Sequence, residues 1–398
     1  MHGENAMKDL RDLYPRARDA SLARGDRVDG EPLLGLALTR DGDEVVLFEG
    51  NRQALTPPGD RPLPTPDRVE RCGPAPAERC AERDVHPAED IVPGMAAAVD
   101  RCLDESGTEG AFVRRLMEAV PAAGHPFWLI GGAVRDLADI GPAARPNDLD
   151  FAGTLPPKAL LREVVSRKEL AGLGDYRHGL SPDSLVVHLA PPRLRTPRIL
   201  EYKALAVTDF LFPAWGGDLR EDVTSRDLTV NSLYYDHTHR VLADPTGLGL
   251  THLRSRPRVL ASLNAERQPS RQAHVLLRFL KFAVRHPDAD VTDLVRWAAG
   301  VPAGLVGRIG EEHWGALGYA WRKGVPEEGR ERALELAGRL GPATVELVAR
   351  LVATETPPTA PTQPITPAPP AASPVAEPDN EPVTGPHARR TTAGEERA

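Results

Sequence analysis

Apolar positions along this chain change period several times, and the changes divide it. Residues 35–39 (GLALT) and 44–50 (EVVLFEG) flank Asp41-Gly42-Asp43, a pattern that predicts a β-hairpin. The stretch that follows, TPPGDRPLPTPDRVERCGPAPAERC, is rich in Pro and Arg and has little periodicity, so residues 1–95 read as a poorly defined N-terminal extension. Helical spacing sets in over 96–119, with Phe112, Leu116 and Val120 four apart. FWLI (127–130) predicts a buried strand, and Gly131-Gly132 leads from it into a helix-like segment. Strand and helix signals then alternate to about Asp236, SLVVHLA and RILEYKALAV being the clearest later strands, which argues for a mixed α/β unit.

Beyond Pro245 the pattern turns helical. Val275, Leu276, Phe279, Leu280 and Ala283 mark one face of a helix over 273–286, and Arg278, Lys281 and Arg285 mark the opposite face. Further amphipathic helices are expected around 305–323 and 330–352. From residue 354 the chain reads TETPPTAPTQPITPAPPAASPVAEP, and eleven of its 40 prolines lie there. Few residues in that tail can pack, so it reads as disordered.

Composition narrows the class. The chain has 398 residues, room for two or three domains of roughly 100–200 residues. The 49 Lys and Arg against 57 Asp and Glu give −8, so global charge offers no hint of a polyanionic partner and only local charge can. Between His252 and His286 eight basic residues face Glu266 alone, a local +7 that suits polyphosphate or nucleic-acid backbone, or a plain solvated helix face. Three cysteines are too few and odd for a disulfide framework. Cys72, Cys80 and His86 match no common zinc spacing. The N-terminus shows no secretory apolar region, and no apolar run approaches the ~18 residues of a membrane span, so a soluble cytoplasmic protein without a membrane partner is expected.

Three constellations carry candidate chemistry. Gly131-Gly132 at a strand end, running into a helix, can hold an anion, because glycine admits close backbone approach and the helix start offers unpaired N–H donors; it can equally be a tight turn. Asp148-Leu149-Asp150 places two carboxylates at i and i+2, on one face if the segment is extended. Such a pair repels itself and calls for a cation or solvent, and a Mg2+ pair held there can activate a hydroxyl; a solvated turn is the plain alternative. Arg226, Asp227 and Asn231 put a cation, an acceptor and an amide on nearby faces of one short helix, able to hold a sugar and a phosphate or simply to form surface ion pairs.

In order, Gly131-Gly132-x-Val134-Arg135-Asp136, Asp148-x-Asp150 and Arg226-Asp227-Leu228-Thr229-Val230-Asn231 resemble the class II tRNA nucleotidyltransferase and bacterial poly(A) polymerase family. Leu277-Arg278 with Lys281-Phe282-Ala283 is similar to that family's L-R-x-x-R-F-A helix, and Ala243-Asp244-Pro245-Thr246-Gly247 to its D-P-F-G connection. The resemblance covers about 110–325. It implies an α+β fold, with a nucleotidyltransferase head of mixed sheet and helices over 96–240. An all-helical neck, the RNA-binding domain, would follow over 241–353, and the tail would occupy 354–398.

By the same resemblance Asp148 and Asp150 are the catalytic and Mg2+-binding residues, and Gly131, Gly132 and Arg135 line the triphosphate site. Arg226, Asp227, Asn231 and Arg278 contact the nucleotide, ATP among the donors, and Asp136 orients Arg135. Glu201 aligns with an acidic strand residue and is either a third carboxylate of the site or an exposed strand glutamate. The implied reaction is attack of an RNA 3′-hydroxyl, that of tRNA in particular, on the α-phosphate of a nucleoside triphosphate. The family reads the base with E-D-x-x-R, and those positions here hold Arg271, Gln272, Ala273, His274 and Val275. That departure keeps two alternatives open: transfer to a small molecule or protein, and RNA or nucleotide binding without catalysis.

Overall fold

A computed structural model of the chain describes residues 26–39, 42–52, 63, 68–70, 84–146, 148–181, 184–192, 199–208, 210, 212–216 and 219–355. Its centre is a mixed eight-stranded sheet in the order Val85–Pro87, Val241–Ala243, Tyr234–Asp236, Phe127–Ile130, Asp150–Gly153, Leu200–Ala204, Val186–Ala190, Arg177–Ser181. Neighbours run antiparallel except for Asp150–Gly153 beside Leu200–Ala204, which are parallel. Strand alternation sends Phe127, Leu129, Phe151 and Tyr202 to one face, where the rings stack across three strands (4.6 Å for Phe127–Phe151, 5.5 Å for Phe127–Tyr202). Helices Met95–Glu105, Gly107–Ala122 and Pro157–Leu170 cover that face with their apolar stripes. The opposite face carries a smaller cluster, Trp128, Ile130, Ala152 and Tyr234.

The hairpin expected near residue 40 has both of its strands: Gly35–Leu38 pairs antiparallel with Glu44–Leu47, and Ala214–Trp215 adds a third strand beside Gly35–Leu38. Residues 84–95, which the sequence reading leaves in the N-terminal extension, supply the edge strand Val85–Pro87 of the main sheet and a short helix, Ala88–Ile91. Cys72, Cys80, the turn residue Asp41 and the Pro-rich tail lie outside the described residues.

The helical region differs from expectation at its breaks. Residues 305–323 are not one helix. Two single 3-10 turns, Val306–Arg308 and Glu311–His313, precede the helix Trp314–Gly324. The periodic stretch 330–352 splits into Arg330–Leu340 and Pro342–Glu355, because Gly341 takes a left-handed φ of +104° and Pro342 restarts the chain at a position where no N–H is needed. Pro269–Arg285 runs through the middle of the bundle with Leu276, Phe279 and Leu280 fully buried. The segment ahead of this helix docks on the head through backbone bonds such as Thr229 N–H to Ala261 O (2.9 Å) and through the Arg258–Asp139 ion pair (2.5 Å). The Asp244-Pro245-Thr246-Gly247 segment is a helix start: Asp244 accepts from the backbone N–H groups of Gly249 and Leu250 (3.2 and 2.9 Å).

Candidate active site

Asp150 opens its strand and pairs in register with Ile130 on one side and Glu201 on the other. Directly paired residues share a face, so both carboxylates stand at one end of the sheet, beside the glycine turn that follows Ile130. Gly131 adopts φ +67°, and a Cβ there would lie 3.6 Å from Asp150 Oδ2, so glycine both permits the turn and leaves this carboxylate oxygen open. Asp148 is exposed and sits in the loop ahead of the strand, not on it, so the alternation argument does not place it. Its charge still reaches the site. Burial first, then Asp148 and Glu201, push the Asp150 carboxyl up to about 7 against the pull of Arg226 and Arg278.

The motif residues on the other side form one polar chain. Asp136 accepts from Arg135 Nε and Nη2 (2.9 and 2.7 Å), and Arg135 Nη1 donates to Asn231 Oδ1 (2.7 Å). Asn231 Nδ2 donates to Asp227 Oδ1 (2.9 Å), and Arg278 Nε donates to Asp227 Oδ2 (2.5 Å). Asp136 therefore touches Arg135 as an orienting residue would. The three residues Arg226, Asp227 and Asn231 do not share one helix. Arg226 ends the 3-10 turn Val223–Ser225 in extended conformation, and Asn231 ends a second turn, Thr229–Asn231.

Arg226 is committed elsewhere. Its Nε and Nη2 both donate to Asp222 Oδ2 (3.0 and 2.6 Å), which also accepts from Tyr234 Oη (2.6 Å), while Ala206 N–H donates to Oδ1 (2.7 Å). Asp222 is fully buried, and the guanidinium beside it holds its carboxyl below the usual range against the cost of burial. Sequence reasoning overlooks Asp222, although its i, i+4 spacing to Arg226 is an ion-pair signal. It also overlooks Lys203, which period two puts on the face of Glu201. Burial lowers the Lys203 ammonium, and Nζ lies 3.5 Å from Ser225 Oγ.

Between the head and the helices Pro269–Arg285 and Trp314–Gly324 lies a cavity of 580 Å³. Asp227, Arg226 and Arg278 line it, as do His274, His313 and Trp215. Arg271, at the start of the former helix, pairs with Glu266 (2.9 Å), and Val275 is buried. The basic block is therefore sorted by the fold. Arg258, Arg271 and Arg278 are tied to Asp139, Glu266 and Asp227, and Arg254 donates to the carbonyl of Ile91 (2.8 Å). Lys281 and Arg285 remain directed at a shared cationic surface: burial, then Arg278 and Arg285, bring Lys281 down to about 8.

Among the described residues no group of three or more His, Cys, Asp or Glu is arranged to hold a metal ion. A hard divalent cation needs less from the protein: one or two carboxylates, with phosphate oxygens and water completing an all-oxygen shell. Asp148 and Asp150 offer that donor type, and the open space at Gly131 beside Asp150 Oδ2 gives it room. The residues fit such an ion.

Residues 127–258 match the family model of the poly A polymerase head domain. No curated protein matches the chain. Similar solved structures include a tRNA-processing enzyme in an apo form (21% identity over 57% of this chain and 55% of that one, TM-score 0.41). The Bacillus stearothermophilus CCA-adding enzyme with CTP is another (18%, 57% and 51%, TM-score 0.40), as is the Thermotoga maritima CCA-adding enzyme with tRNA (16%, 60% and 53%, TM-score 0.42). The chain thus spans little more than half the length of these structures. Among the described residues no helix is long and apolar enough to cross a membrane. The match to the poly A polymerase head domain covers residues 127–258, about a third of the chain.

Proposed function

We propose that this chain is a divalent-metal-dependent nucleotidyltransferase that joins a nucleotide from a nucleoside triphosphate to an RNA 3′ end, with tRNA the acceptor that the family resemblance favours. The observation that carries the reading is the placement of Asp150 and Glu201 in register at the sheet end, with Asp148 in electrostatic reach and the glycine turn adjoining. Carboxylates driven together in this way are stabilised by a bound cation. In the reaction the O3′–Pα bond forms as the Pα–O bond to pyrophosphate breaks, and the hydroxyl proton passes to water.

Asp148 and Asp150 would hold Mg2+, which when bound lowers the hydroxyl pKa and offsets charge on the departing pyrophosphate. Arg135 and Arg278 are held at the two ends of the polar chain by Asn231 and Asp227. Arg278 uses only Nε for Asp227, and its two terminal nitrogens make no hydrogen bond among the described residues, so they can meet an anionic oxygen. Gly131 and Gly132 let a phosphate approach the helix start closely. Arg226, bound to Asp222, shapes the cavity wall and acts through its field. The reaction needs no covalent enzyme intermediate.

The test is transfer by Asp148→Asn and Asp150→Asn in the full chain with Mg2+, a labelled nucleoside triphosphate and RNA. Each variant should lose at least ~10²-fold in rate while keeping its fold, because positioning of the ion fails. Undiminished transfer by both variants would refute the assignment.

A further inference from the structure

Tyr319 is the one solvent-exposed Phe, Tyr or Trp side chain among the described residues, 60% exposed on the helix Trp314–Gly324. That helix buries Leu317 and Trp321 and turns Ala316, Tyr319 and Lys323 outward at i, i+3 and i+7, along one stripe. The stripe has two defined ends. Ala316, with His313 before it, lines the 580 Å³ cavity. At the other end Gly324 packs on the stem of Lys281, whose carbons lie 3.4–3.7 Å from where a Cβ of Gly324 would be. Tyr319 therefore stands between the cavity and a cationic surface.

That surface is strongly positive. Arg135, Arg278 and Lys281 gather around the Phe282 ring at 5.1, 5.2 and 5.9 Å from its centroid. Arg285 and Lys323 add their charges, and among the described residues no carboxylate forms an ion pair with Lys281, Arg285 or Lys323. Burial first, then neighbouring cations, lower both Lys281 and Arg285 against the weaker pull of Asp227 and Asp136. In a chain of net charge −8 this concentration calls for a polyanion. Lys323 Nζ lies 5.8 Å from the Tyr319 ring centroid, so the ring and its cation are already one unit.

We propose that Tyr319 is a stacking platform for a base near the 3′ end of a single-stranded RNA acceptor, with Lys323 and Lys281 taking the adjoining phosphates. The proposal rests on the reading of this chain as an enzyme that acts on RNA, and it names the surface that grips the acceptor. Every base presents a π-face, so an exposed tyrosine beside cations binds single strands with little regard to sequence. The occupant is an unpaired RNA end and not a duplex, because a stacked ring needs an unstacked base.

The experiment uses the full chain and a 5′-fluorescent single-stranded oligoribonucleotide, followed by anisotropy and by nucleotide transfer. Tyr319→Ala should weaken RNA binding and raise the acceptor KM about tenfold, with kcat and the nucleotide KM unchanged. Tyr319→Trp and Tyr319→Phe should bind like the parent, because they keep the ring. Lys323→Ala should weaken binding and flatten its salt dependence by about one charge. Unchanged thermal midpoints will show that the exposed substitutions leave the fold alone. If the parent extends RNA and Tyr319→Ala matches it in acceptor KM, the platform is wrong and the functional reading stands. If the parent neither binds nor extends any RNA, the functional reading fails and the platform with it. A blunt duplex bound more tightly than the single strand would also overturn it.

Discussion

Asp227 and Arg278 are 51 residues apart in the chain and share a 2.5 Å hydrogen bond between carboxylate and guanidinium. Asp227 lies between the two 3-10 turns of the head, so the contact joins the head to the central helix of the bundle, and both residues line the cavity. Arg278 is 43% exposed, which discounts the pair for solvent screening. Asp227→Ala should cost about 1 kcal/mol in urea denaturation, since Asn231 also loses its partner. Asp227→Ala with Arg278→Ala should cost less than the sum of the two. Additive effects would mean that the pair does not couple head to bundle.

Asp222 and Arg226 make the opposite case, a pair whose carboxylate is fully buried and whose guanidinium is 15% exposed. Asp222→Asn strands a buried guanidinium and should destabilise the chain by about 3–5 kcal/mol. The sign of the pH effect follows from the lowered carboxyl of Asp222. A carboxyl lower in the folded state than in the unfolded one stabilises the fold above its unfolded pKa, and this contribution disappears as pH falls through the folded value. Acid titration of thermal stability should therefore show a drop below about pH 4 that Asp222→Asn lacks.

Gly131 and Gly132 look alike in sequence and should behave differently. Alanine at 131 must adopt φ +67°, with its Cβ 3.6 Å from Asp150 Oδ2. The backbone penalty is about 1–2 kcal/mol. Alanine at 132 meets only Arg135 Nη2 at 3.7 Å, an ordinary contact. Thermal denaturation should separate the variants, Gly131→Ala being the less stable, and transfer should fall further in Gly131→Ala because its methyl occupies the space beside the carboxylate. Equal behaviour would show that the left-handed turn is not required.

RNA affinity should weaken with salt, but less steeply than a local charge of +7 suggests. The structure ties Arg258 and Arg271 to carboxylates and leaves Lys281, Arg285 and Lys323 to meet phosphate. Three single-strand contacts correspond to a log–log slope of about −2. A slope near zero would remove this surface as the contact, and a much steeper one would require basic residues that the fold has paired.

Much of the site is legible in the sequence because its parts are local signals. FWLI followed by Gly131-Gly132 is a strand, a left-handed turn and a helix start in consecutive residues, and each shows in residue type alone. The Pro269–Arg285 helix is legible for the same reason, its apolar positions recurring at helical period. What escapes is set by tertiary pairing. The i, i+4 spacing allows an Asp222–Arg226 pair, but it does not tell that Asp222 is buried and shared with Tyr234, so that the charge of Arg226 is spent there instead of facing a ligand. Val85–Pro87 is too short to show alternation and becomes a strand only because Val241–Ala243 offers it an edge. The breaks at 310 and 341 each carry a Gly, the second followed by Pro, yet amphipathic spacing carries across them and hides the breaks.

The most direct test of the central claim is a transfer assay with two matched RNAs, one ending in a 3′-hydroxyl and one in a 3′-deoxy terminus. Each would be incubated with the full chain, Mg2+ and each labelled nucleoside triphosphate in turn. The account predicts that label joins only the RNA bearing the hydroxyl, with one pyrophosphate released per nucleotide added. Label appearing on neither RNA, or on a small molecule or protein in place of RNA, would contradict it.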